Sequence, residues 1–258
     1  MVERLRVGDV QIAYRIDGVG PPLLLLHGAE GDHRMFDGIT PLLARHLTVI
    51  RYDQRECGET ENPPQTSGLI DLAHDAHGLL LGLGIPRAHV FGTSFGGRVA
   101  QVLALTHPDV VNRLVLGSTW PVPQSIAQLN PSVVATIQNL RARLPDSAAE
   151  LAEYFFPEAY LQHHPEFRAL FQKAQPNSDR GRRRGAAVTD GTTLEAASIA
   201  RPTHLIVNSL DRIVPPSVTL GMARCIAGAT FSELSGVGHA GVLQAPERVA
   251  DAILAFLR

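Results

Sequence analysis

The chain has little sulfur and almost no lysine. Among 258 residues there are two cysteines, three methionines and one tryptophan, and Lys173 is the single lysine beside many arginines. Cys57 and Cys225 lie far apart and fit no metal-ligand spacing, so two thiols in a reduced, cytoplasmic protein is the simplest account. Long apolar runs are also missing. The longest, Pro21–Leu26, falls far short of the roughly 20 residues that a membrane-spanning helix needs. Met1–Gly8 carries early charge without the apolar stretch or cleavage site of a signal peptide. A net charge of −2 leaves no basic surplus for a nucleic-acid partner. The one basic run, Arg180–Arg184, reads as a solvated surface loop.

What is present is the balance of a soluble globular protein, 45% hydrophobic and 19% charged, at a length that fits one large core domain. Val10–Ile16 alternates apolar and polar residues as a half-exposed strand does, and the turn cluster Asp17–Pro22 follows. Leu23–Leu26 is apolar on both faces and runs into His27-Gly28, the pattern of a buried parallel strand ending in a functional loop. A helix is predicted near residues 39–45, a strand over 47–53, and a helix over 69–83 that Gly84-Ile85-Pro86 stops. Further buried strands are predicted at 89–92, 113–118, 203–208 and 230–234. An amphipathic helix closes the chain over 246–257, with Val249, Ile253, Leu254 and Leu257 on one stripe. This alternation implies a mostly parallel sheet with helices on both faces, joined by right-handed crossovers.

The alternation lapses between residues 121 and 200. Helix-like stretches at 132–144 and 147–155 are broken by Pro145, Pro157, Pro165 and Pro176, with no convincing strand. The core is therefore expected to comprise 1–120 and 201–258, with 121–200 inserted as a helical lid over the C-terminal edge of the sheet.

Chemistry concentrates at Ser94. It sits in Gly92-Thr93-Ser94-Phe95-Gly96, a G-x-S-x-G pentapeptide between a β-type run and a helix-patterned segment. A serine on so tight a strand-to-helix bend takes a strained backbone conformation that exposes its hydroxyl, and Gly92 and Gly96 must be small for the bend to close. The Phe95 N–H then heads the helix, where a free donor and the positive end of the dipole can stabilise an oxyanion. A serine hydroxyl needs a base. Of 11 histidines, His239 lies in the glycine-rich loop Gly236–Gly241, after a late strand and directly before the closing helix. Asp211 follows the strand ending at Asn208 and would orient His239.

On these residues the chain resembles the α/β-hydrolase superfamily over essentially its whole length. The resemblance rests on His27-Gly28, on Tyr52–Gly58 against the family's aspartate-arginine-glycine loop, on the G-x-S-x-G elbow, and on the order Ser94, Asp211, His239. It implies an α/β-hydrolase fold, a catalytic triad of Ser94, Asp211 and His239, and the Ala29 N–H as second oxyanion donor beside Phe95. It implies no metal and no organic cofactor. The chain departs from the family at Glu56, where the family places a glycine.

Within the superfamily the nearest likeness is to 3-oxoadipate enol-lactonases and small methylesterases, so hydrolysis of a small ester or lactone is expected. That activity would want a carboxylate-binding arginine; Arg34, Arg98, Arg141 and Arg143 are candidates, each expected at the surface. The partner is a small-molecule substrate with an apolar or cyclic acyl group. Its pocket would draw on His27, Met35, Phe36 and Trp120 near the strand ends and on Phe155, Tyr160 and other lid aromatics, half or more of which should pack the lid onto the core. Other uses of the triad stay open: carbon-carbon bond hydrolysis, cofactor-free lyase chemistry, or a slow-turnover ligand receptor.

Overall fold

The four leucines of strand β3 (Pro22–Leu26) divide between the two faces of one sheet. Leu24 and Leu26 join a core of 43 buried residues, whereas Leu23 and Leu25 join a second core of 16. The same alternation sends Val90, Leu114 and Leu205 to the first core and Phe91, Val115 and Ile206 to the second. Helices cover both faces, so a strand buried on both sides reads as a continuous apolar run.

The computed structural model describes residues 1–258. The other strands are β1 (Glu3–Val7), β2 (Val10–Asp17), β4 (Thr48–Tyr52), β5 (Ala88–Thr93), β6 (Val111–Gly117), β7 (Thr203–Asn208) and β8 (Thr230–Leu234). They form one sheet in the order β1-β2-β4-β3-β5-β6-β7-β8, with β1 and β2 antiparallel and the remainder parallel. β3 is flanked by β4 on one side and β5 on the other, so the chain leaves in one direction and returns in the other. Such a reversal opens a crevice at the carboxyl ends of the strands. The His27-Gly28-Ala29 loop and Ser94 both sit there.

Helix Phe95–Thr106 buries Val99, Val102 and Leu103 on the first core, and helix Pro246–Leu257 buries Val249 and Ile253 on the second. No helix is long and apolar enough to cross a membrane. Three expectations need correcting. Glu3–Val7, read from sequence only for its charge, pairs with β2 as an edge strand. β8, expected buried, is the opposite edge, where only Leu234 is buried and Phe231 is 53% exposed. The basic run is not a loop: it lies in helix Asp179–Thr189, whose first turn is capped by the Gly181 N–H donating to Ser178 Oγ at 3.0 Å.

Between β6 and β7 the chain forms helices and no strand. These are Ile126–Leu129, Pro131–Ala142, Ala148–Phe155, Glu158–His163 and Asp179–Thr189, with short 3-10 turns between. The segment rests on the loops at the strand ends. The Ala240 N–H donates to the Phe155 carbonyl at 3.0 Å, and Asn130 Nδ2 donates to the carbonyls of Arg212 and Ile213 at 2.9 and 3.0 Å.

Candidate active site

Ser94 lies at φ 53°, ψ −125°, a left-handed conformation that costs a residue with a Cβ about 1–3 kcal/mol. Its neighbours hold it there. The Ser94 N–H donates to Gly117 O at 2.9 Å, and the Thr119 hydroxyl donates to Ser94 O at 2.6 Å. A Cβ on Gly92 would come within 2.4 Å of Gly96 O, across the bend; one on Gly96 would come within 2.2 Å of Leu26 O, on the neighbouring strand. The two glycines therefore serve different contacts. One closes the turn and the other lets the helix sit against β3.

The loop after β7 brings Asp211 and the loop after β8 brings His239 to the same place. His239 Nδ1–H donates to Asp211 Oδ2 at 2.8 Å, with Oδ1 at 3.0 Å, which leaves Nε2 to accept from Ser94 Oγ at 2.9 Å. Asp211 Oδ1 also accepts the amides of Ile213 and Val214, both at 2.9 Å. A buried carboxylate with these partners is fixed in position. Asn208 Nδ2 braces the histidine loop by donating to Gly238 O and Ser118 Oγ, each at 2.7 Å. This linear arrangement can move the serine proton onto the imidazole and orient the imidazolium that results.

On the other side of Ser94, the Phe95 N–H heads its helix and the Ala29 N–H lies in the loop after β3. Neither donates to a protein acceptor. That loop is organised by His27, which is fully buried. Its Nδ1–H donates to Gly28 O at 2.8 Å, while its Nε2 accepts the Gln54 N–H at 3.1 Å. Burial first, and then the charge of Arg184, push the His27 imidazole down to about 4. Asp32, His33 and Asp53 each bring a ligand atom within 4.8 Å of the others, but these atoms already hold the adjoining loops. The His33 ring and amide both donate to Asp53 Oδ1, at 2.8 and 2.7 Å, and Asp32 pairs with Arg34.

Several residues expected at the pocket lie elsewhere. His27 has both ring nitrogens engaged, so it shapes the loop and has no free atom for substrate. Phe36 is fully buried in the second core against Phe91, and Trp120 is buried in the first, its Nε1–H on Gln124 O at 3.1 Å. Tyr160 stacks within an aromatic cluster with Phe156, His164 and Phe167. Met35 borders Gly28 and Gly31. Phe155 alone of the aromatics in residues 121–200 meets His239, ring edge to ring face at 5.6 Å between centroids. Among the arginines, Arg34 and Arg143 are exposed and Arg141 pairs with Glu30 at 2.6 Å. Arg98 is not at the surface: it is 1% exposed beside Trp120, and burial lowers its guanidinium to about 10.

The residue that sequence reasoning missed is Arg184. It is buried, donates Nε–H to Ala29 O at 3.0 Å and Nη2–H to Gln54 Oε1 at 3.1 Å, and lies over the Phe95 ring at 4.7 Å. Arg183 forks onto Glu56 at 2.6 and 2.9 Å. A signal existed: Ser178-Asp179 is a helix-start pattern, and Arg180, Arg183 and Arg184 share one helical face. Glu56 itself stands at φ 65°, the left-handed region where glycine is at ease.

A family model described as alpha/beta hydrolase fold matches residues 21–246. The chain belongs to this family. It is accordingly a hydrolase, and its relatives show the range of the family. It is 28% identical to the pyrrolizixenacetamide deacetylase of Xenorhabdus hominickii, over 99% of this chain and 98% of the relative. It is 30% identical to the 2-hydroxymuconate semialdehyde hydrolase of Pseudomonas sp. strain CF600, over 93% of this chain and 88% of the relative. Among solved structures it is similar to the enol-lactonase from Burkholderia xenovorans LB400, with a TM-score of 0.84 and 26% identity over 99% of each chain.

Proposed function

We propose that this hydrolase cleaves a small ester or lactone through an acyl-enzyme on Ser94. The observation that carries the reading is the unbroken line from Asp211 through His239 Nδ1 and Nε2 to Ser94 Oγ, with every step within 3.0 Å. His239 takes the serine proton, Ser94 attacks the carbonyl, and the Ala29 and Phe95 N–H groups stabilise the oxyanion. His239 then protonates the leaving alkoxide and, in the second half, activates the water that releases the acyl group. Residues 121–200 act as the lid over this site, and Phe155 beside His239 favours an apolar or cyclic acyl group.

The test is labelling by a fluorophosphonate probe. Wild type is expected to be labelled stoichiometrically and Ser94→Ala not at all; a folded but unlabelled wild type overturns the reading. A panel of p-nitrophenyl esters and lactones then identifies the substrate class. The likeness to a 2-hydroxymuconate semialdehyde hydrolase supports a second reading, carbon-carbon bond hydrolysis by the same triad. Turnover of a vinylogous diketone with no ester or lactone turnover would favour it.

A further inference from the structure

Helix Asp179–Thr189 is held to the core by three arginines that leave it on one side. Arg180 Nη2 donates to the carbonyls of Cys57 and Thr60 at 2.7 and 3.0 Å, and Arg183 forks onto Glu56. These two seat the helix on the loop after β4. Arg184 reaches further in, and it touches both residues whose amides face the oxyanion in the proposed reaction.

The contacts are specific to those amides. The Gly28 carbonyl belongs to the same peptide as the Ala29 N–H. It accepts His27 Nδ1–H at 2.8 Å and Arg184 Nη2–H at 3.4 Å, and electron density drawn to that oxygen makes the N–H a stronger donor. The next carbonyl, Ala29 O, accepts Arg184 Nε–H at 3.0 Å. With two successive carbonyls held by one guanidinium, the amide between them cannot turn away. The same guanidinium lies on the Phe95 ring, at the first turn of the helix that supplies the other donor. Arg184 is 7% exposed and hydrogen-bonds to carbonyls and an amide, with no carboxylate partner. Burying an unpaired cation is costly, so a residue that only filled this space would be apolar.

We infer that Arg184 is a positioning residue for the oxyanion hole, and that the hole is complete only while helix Asp179–Thr189 is seated. This rests on the serine-hydrolase reading above. Seating the helical segment would then assemble the transition-state site as well as cover the substrate. An acylation begun with the helix displaced would lack its oriented Ala29 donor.

The experiment compares wild type, Arg184→Met, Arg184→Lys and Arg184→Ala in p-nitrophenyl acetate hydrolysis and in the rate of fluorophosphonate labelling, which also places an oxygen in the hole. Arg184→Met should lower kcat and the labelling rate about 10- to 100-fold, with KM within about threefold, less than the loss of a donor itself. The plateau of the pH profile should drop without moving its midpoint, because the triad is untouched. Millimolar guanidinium should speed Arg184→Ala several-fold and leave wild type unchanged; Arg184→Lys, which lacks the fork, should stay impaired. If Arg184→Met is destabilised, the guanidinium response of Arg184→Ala and the kinetics of the more conservative Arg184→Lys still decide. Wild-type kcat and labelling in folded Arg184→Met would overturn the inference. So would a loss confined to KM for carboxylate-bearing esters, which would make Arg184 a substrate contact. An unlabelled wild type would instead sink the serine-hydrolase reading.

Discussion

The two sides of Ser94 are built differently. On the acid–base side, Asp211 and His239 come from loops of the core itself, and the helical segment packs on those loops through Phe155 O, the Asn130 side chain and the Phe155 ring against His239. On the oxyanion side, the proposed donors are main-chain amides, and a side chain from the helical segment, 155 residues away, hydrogen-bonds to the loop that carries one of them. All three side chains of the proposed proton relay thus come from the core. The proposed oxyanion site draws on side chains and backbone of core and helical segment together.

The sharpest way to break that contrast is at the acid. Asp211→Asn keeps an acceptor for the Ile213 and Val214 amides but misorients His239, so turnover should fall about 10,000-fold while Tm changes by a few degrees at most. Steady-state kinetics beside thermal melting check this; near-normal turnover would mean that another carboxylate orients the histidine. The Arg184 variants, with their smaller loss, probe the opposite side.

The oxyanion side should also be the more acid-sensitive. His27 titrates near 4 in the fold, below the 6.5 of an unperturbed imidazole, so the unfolded chain takes the proton first. The stabilisation is complete above about pH 6.5 and is lost as pH falls toward 4, by an amount on the order of 3 kcal/mol. Burial lowers His89, His107 and His204 as well, and these act in the same direction. Urea unfolding at pH 7 and pH 4.5, for wild type and His27→Asn, isolates the His27 share. Equal pH dependence in the two proteins would show that it contributes nothing.

The smallest effect is expected at Glu56. Glu56→Gly relieves the backbone strain at φ 65° but gives up the pair with Arg183, and the two should nearly cancel. Glu56→Ala gives up the pair and keeps the strain, so it should be the less stable of the two by about 1 kcal/mol. Denaturant midpoints resolve the difference, and an alanine variant as stable as the glycine one would remove strain from the account.

The same contrast separates what could be read in the sequence from what could not. Seven of the eight strands were legible: the buried ones between helices leave continuous apolar runs, and β2 shows itself by alternating apolar and polar residues. Ser94, Asp211 and His239 each stand at a strand end with a local pattern around them, and the structure brings all three together. Arg184 had no such pattern. Its partners are distant in sequence, so a run of arginines without visible acids looked like a solvated surface. The aromatics were misplaced for a related reason: a position next to a strand end does not say which way a ring points. Phe36 and Trp120 turned into the two cores, whereas Phe155 turned toward His239.

The uniformity of Leu23–Leu26 has one more consequence. A slip of β3 by a single position would exchange the leucines facing each core and leave both cores filled, so hydrophobicity is almost indifferent to register here. The ends of the strand must choose instead: the Thr48 N–H on Pro21 O at one end, and His27 locked to Gln54 at the other. Deleting one of the four leucines would pull the following loop back by one strand step, about 3.3 Å. The sheet would still close over well-packed leucines, but the Ala29 amide would be carried away from Ser94 and from the oxyanion of the proposed reaction.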